Sequence, residues 1–137
     1  AIHFHHQFNC FMKTKLSSSA SWEDSVGYCR AIRHGNTIEI AGTTAVVDGK
    51  IAGKNDAYEQ TKIIFGIIED ALSQLGGKMS DVVRTRMYLK NIHDWEVVGK
   101  AHGEIFRTIK PVSTMLAVAA LIDPDMLVEI EVTAILS

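Results

Sequence analysis

The sequence predicts an α+β domain: one mixed β-sheet carrying two helices on one face, in two layers. Three observations lead there. Strand-like alternation and helix-like periodicity succeed one another in the order β-β(-β)-α-β-α-β-β. The final strand, VEIEVTA, sends Val128, Ile130 and Val132 to one side and Glu129, Glu131 and Thr133 to the other, so one sheet face is apolar and the other carries carboxylates. The chain of 137 residues with 47% hydrophobic content fits a single domain that buries about two-thirds of its unfolded surface.

Residues 1–21 read as a disordered or extension-like segment, and 22–137 as the domain. AIHFHHQFNCF mixes His and Phe without period, then runs into Ser-rich sequence; Met12 reads as a natural start and residues 1–11 as an extension. His3, His5 and His6 form a loose cluster with nothing rigid to hold a metal.

From Trp22 a β-meander is expected. HGN at 34–36 and DGK at 48–50 are hairpin turns between alternating residues. In TIEIAG, Ile38 and Ile40 point one way, and Gly42 ends the strand where a side chain would crowd a neighbour or ligand. The first helix spans 55–77. Asn55 or Asp56 caps it, Ile64, Ile68, Leu72 and Leu75 form its apolar stripe, and Gly76-Gly77 stops it.

Next, Val83, Thr85, Met87 and Leu89 alternate with Arg84, Arg86, Tyr88 and Lys90 in a strand. A second helix runs from about His93 to Thr108, with Val97 or Val98, Ala101, Ile105 and Phe106 for its buried face. Two strands close the chain, TMLAVAAL (114–121) and MLVEIEVTAIL (126–136), joined by a DPD turn. TMLAVAAL is apolar on both sides, which predicts burial on both sides and therefore an oligomer.

Composition narrows the function. The net charge of −2 supplies no basic excess for nucleic acid. Two cysteines, Cys10 and Cys29, make no disulfide framework, which fits a reducing cytoplasm. No apolar run approaches a membrane span. No set of ligands in the domain has metal spacing and no phosphate-binding Gly loop occurs, so neither metal nor cofactor is expected.

The ordered set of Gly27-Tyr28, Gly35-Asn36, Ile40-Ala41-Gly42-Thr43, the run DVVRT at 81–85, Pro111 before a strand, and EIE at 129–131 resembles the Rid family, the YjgF-like reactive intermediate deaminases. The resemblance spans about residues 24–136. It implies a chorismate-mutase-like fold and a homotrimer whose sheets form a barrel, with small-molecule clefts between subunits. It also implies hydrolysis of enamines or imines to a ketone and ammonia. By the same resemblance Tyr28 and Gly42 line the cleft and Glu129 positions the attacking water. The Arg that clamps a substrate carboxylate in active members falls at Ser113, next to Thr114. A hydroxyl offers neither the charge nor the fork of a guanidinium. The expected site is therefore catalytic Glu129 with Tyr28, Gly42, Ser113 and Thr114 binding substrate. The alternative is a non-catalytic metabolite-binding trimer, and a ribonuclease or translation inhibitor ranks last. A Ser113 nucleophile would need a base within reach, and no motif ties His93 or His102 to it.

Overall fold

A computed structural model describes residues 12–18 and 20–137. The His cluster and Cys10 lie outside the described residues. In chain order the strands and helices are β1 (Lys13–Leu16), β2 (Ala31–His34), β3 (Thr37–Thr43), β4 (Val46–Val47), β5 (Lys50–Ile51), α1 (Ala57–Gln74), β6 (Val82–Leu89), α2 (Trp95–Phe106), β7 (Val112–Ala117) and β8 (Val128–Ile135). Six strands form one sheet in the order β1-β2-β3-β8-β6-β7, while β4 and β5 make a separate hairpin. Among the described residues only the β6–β7 pair is parallel, because α2 crosses over between them.

Local chemistry fixes the elements. Gly35 takes φ 61° in the two-residue β2–β3 turn, and Asp48 and Gly49 are both at positive φ between β4 and β5. Asp56 caps α1 by accepting from Glu59 N at 3.0 Å. At the other end Gly76 N donates to Ser73 O and Gly77 N to Leu72 O, with Gly76 at φ 87°. This double bond pattern satisfies carbonyls that the helix leaves open.

Both helices lie on one face of the sheet. The predicted α1 stripe of Ile64, Ile68, Leu72 and Leu75 is fully enclosed, and Val128, Ile130, Val132 and Ala134 of β8 meet the same core. Of the residues predicted for α2, Val98, Ala101 and Phe106 are buried while Val97 faces out. Trp22 and Trp95 are both about half exposed on this chain.

Three features depart from the sequence reading. The sheet begins at Lys13, inside the segment set apart as 1–21: Lys13 to Leu16 pair with His34 to Ala31. A short, charged strand is what a sheet edge tolerates, and its polar KTKL sequence hides it from an alternation search. Buried Glu23 then ties this segment to the domain by accepting from Ser18 N at 3.0 Å. Val83 is exposed and Val82 buried instead, because the pairing with β8 slips between Val82 and Arg84. Finally, the two-sided apolar run TMLAVAAL only partly forms the strand, β7, which is the outermost one. It ends at Ala117, and Val112 and Leu116 are 57% and 41% exposed. Its burial on both sides does not occur within one chain.

Candidate functional site

The open face of the sheet is built by strand alternation. On β8 the buried residues alternate with Glu129, Glu131 and Thr133, which project away from the helices. Cross-strand pairing aligns Glu131 with Arg86 and Thr114, and Glu129 with Tyr88 and Leu116. Charges of both signs therefore alternate across this face.

Glu129 is perturbed on this face. Burial raises its pKa above the ordinary 4.5; Arg30 opposes the shift and Glu131 adds to it. Beside it the β3–β8 register slips between Ile40 and Thr43, which brings Gly42 against the carboxylate. Arg30 Nη2 donates to Gly42 O at 2.6 Å. Arg30 Nε is buried and, among the described residues, makes no hydrogen bond. Glu131 accepts from the Tyr88 hydroxyl at 2.5 Å and has Arg86 Nε at 4.0 Å. The bond to Glu131 holds the Tyr88 phenol above its ordinary pKa. An open hollow of about 460 Å³ borders Glu129, lined also by Tyr88, Val118, Ala120, Leu121 and Ile122. It has an apolar wall and a carboxylate floor, as small-molecule sites commonly do.

The predicted site residues divide into three places. Gly42 and Glu129 are in contact. Thr114 lies on the same open face, beside Arg86. Ser113 does not: it pairs with Thr85, whose side chain is buried on the helix side, so it belongs to the opposite face from Glu129. Tyr28 stands apart after the π-helical turn Glu23–Gly27, 40% exposed and with no hydrogen bond to the other four.

Sequence reasoning also missed a link. Thr85 Oγ1 donates to Ser113 Oγ at 2.8 Å and lies 2.9 Å from His102 Nε2. The His102 ring is wedged edge-on to Phe65 and tilted against Phe106. Burial depresses its pKa, which disfavours the charged imidazolium. The available signal was a polar residue on the apolar phase of each element: Thr85 among Met87 and Leu89, and His102 next to Ala101.

Among the described residues, no group of three or more His, Cys, Asp or Glu is arranged to hold a metal ion. No helix among them is long and apolar enough to cross a membrane.

Fold and site together define a small two-layer α+β protein with a carboxylate-bearing open face. A model of the Endoribonuclease L-PSP family matches residues 19–136. The crystal structure of Rv2704 from Mycobacterium tuberculosis, a member of the YjgF/YER057c/UK114 family, superposes with a TM-score of 0.83 at 42% identity, covering 91% of this chain and 100% of that one. An uncharacterized protein of Streptomyces coelicolor is 40% identical over 120 residues, 88% of this chain and 90% of its own length. The 3-aminoacrylate deaminase RutC of Acinetobacter baylyi is 26% identical over 104 residues, 75% of this chain and 82% of its own. The chain belongs to the Endoribonuclease L-PSP family, the YjgF/Rid family.

Proposed function

We propose that this protein hydrolyses the C=N bond of a small imine or enamine tautomer, in a cleft completed by a second copy of the chain within a homotrimer. The observation that carries this reading is Glu129: a carboxylate half withdrawn from water, set against Gly42, at the edge of the hollow beside Tyr88. Its raised pKa brings it nearer to neutrality, where one group can both take a proton and return it.

The step balances simply. Glu129 takes a proton from water as the water oxygen bonds to the imine carbon and passes it to the nitrogen, giving a neutral carbinolamine. It then takes the hydroxyl proton and delivers it to the amino nitrogen, the C–N bond breaks as the carbonyl forms, and a carbonyl compound and ammonia leave. The deaminase name carried by the Acinetobacter relative supports this chemistry. Thr114 and Gly42 border the reacting face, and Ser113 and Tyr28 meet substrate from the β7 edge and from a neighbouring copy. The exposed apolar edge of β7, with Val112 and Leu116, supports assembly. Arg30, whose charge already acts on Glu129, is the cation best placed to meet an anionic group.

One observation favours binding without turnover as the second reading. Ser113 offers no charge, and its hydroxyl is engaged by Thr85. Ammonia release from freshly generated imines of several amino acids separates the two, comparing wild type with Ser113→Arg. Activity in the wild type upholds the hydrolase. An inert wild type with an active Ser113→Arg variant leaves a binding protein on the same pocket. A ribonuclease reading remains last, because Arg84 and Arg86 are interleaved with Glu129, Glu131 and Thr133 and form no basic stripe.

A further inference from the structure

We infer that Arg30 is a positioning residue for Glu129: its guanidinium braces the bulged backbone at Gly42 on which the carboxylate rests, and its charge keeps that carboxylate ionised to take a proton from water. The inference rests on the hydrolase reading above and adds to it a residue that acts through Glu129.

The brace begins in the backbone. Arg30 stands immediately before β2, where its N donates to Leu16 O at 2.9 Å and its carbonyl accepts from Ala41 N at 3.0 Å. Strands β1 and β3 therefore fix it from both sides. Between the pairs Ile40–Val132 and Thr43–Ile130, Ala41 and Gly42 of β3 stand opposite the single residue Glu131 of β8, which is a β-bulge. A bulge disrupts the ladder locally, and here side chains reach both of its carbonyls. Ala41 O accepts from Thr43 Oγ1 at 2.8 Å, and Gly42 O accepts from Arg30 Nη2 at 2.6 Å. The second bond has a charged donor and belongs to the stronger kind. Gly42 is the residue set against the Glu129 side chain. One guanidinium thus reaches from the start of β2 to the backbone that aims the carboxylate.

Charge supplies the second half. The charged and titratable groups around Glu129 are Arg30 before β2, Glu131 on its own strand, and Tyr88 and Arg86 on β6. Glu39 of β3 is bonded to Thr133, further along β8. Gly42 of β3 and the β7 residues Thr114 and Leu116 bring no charge. Tyr88 donates to Glu131, and Arg86 Nε lies 4.0 Å from the same carboxylate. Among the described residues, Arg30 is the cation that acts on Glu129. Burial raises the Glu129 pKa, Arg30 opposes the rise and Glu131 adds to it. With Arg30 neutralised, burial and the like charge of Glu131 act unopposed, and Glu129 holds its proton to higher pH. A protonated carboxyl cannot take the proton of the attacking water.

The test is a carbon-detected NMR titration of the Glu129 carboxyl in the full chain, assigned by its loss in Glu129→Gln, beside the pH profile of kcat/KM for imine hydrolysis. In Arg30→Met and Arg30→Gln the Glu129 midpoint should move to higher pH, and the acid limb of kcat/KM should move with it. Arg30→Lys keeps the charge and should hold the midpoint near that of wild type. An unmoved midpoint in either folded neutral variant overturns the inference. A loss confined to KM at every pH overturns it too, because Arg30 would then be a substrate clamp. Should the neutral variants fail to fold, the wild type decides: the Arg30 guanidinium nitrogen signals should shift at the Glu129 midpoint and lose that inflection in Glu129→Gln. Signals indifferent to that midpoint overturn the coupling. The titrations need no substrate, so a protein that hydrolyses no imine still answers for Arg30, and a moved midpoint without turnover removes the hydrolase reading alone.

Discussion

The Glu129 carboxylate fills the space a side chain at position 42 would need: a Cβ built on Gly42 meets Glu129 Oε2, with Cδ at 3.1 Å. Gly42 is therefore part of how the carboxylate is aimed. Gly42→Ala should swing the end of Glu129 away, off its present rotamer, at about 0.5–1.5 kcal/mol. We expect the melting temperature to move by a few degrees at most while imine hydrolysis falls at least tenfold. Thermal melts and ammonia release on the same preparation check this. A large loss of stability with activity retained would contradict it.

Two buried titratable groups should tilt the stability profile in opposite senses. Glu129 is raised in the folded state, so its contribution is greatest below the ordinary 4.5 and is lost as pH rises through the raised value. His102 is lowered, so its contribution is complete above the ordinary 6.5 and is lost as pH falls through the depressed value. Relative to wild type, Glu129→Gln should gain stability as pH rises from the acid side. His102→Gln should gain it as pH falls below neutrality. Urea melts across this pH range read both slopes.

Both ends of α1 should be worth measuring because their chemistry is explicit. Asp56→Ala removes the acceptor for Glu59 N and should cost about 1 kcal/mol. Gly76→Ala forces a Cβ into φ 87° and should cost about 1 kcal/mol. In the core beneath, Ile68→Ala should cost roughly 2–5 kcal/mol. Equilibrium urea unfolding gives all three.

The β7 edge should govern assembly. Leu116→Lys places a charge on an exposed apolar position of the outermost strand. Light scattering should show about three chains' mass for wild type and a smaller species for the variant. A wild-type mass near one chain would remove the shared cleft.

What the sequence disclosed follows from the range of each signal. The α1 stripe and the β8 alternation are local periodicities, and both recur in the structure with the expected residues buried. TMLAVAAL shows the limit: its composition says that both sides want cover but not which molecule provides it, and within one chain it is an edge. The charged strand KTKL carries no apolar period at all. Ser113 and Glu129 looked like members of one site, yet the β6–β7 register puts them on opposite faces, and register is invisible until the pairing partner is known. The Thr85–His102 bond joins a strand to a helix 17 residues on, which no local pattern encodes.

The most direct measurement is ammonia release from freshly generated imines by wild type and Glu129→Gln, a near-isosteric change that removes the proton acceptor. The account predicts turnover above the buffer rate in wild type and a loss of about 10²–10⁴-fold in the variant, the usual range for a positioned general base. A Glu129→Gln protein as fast as wild type would contradict it.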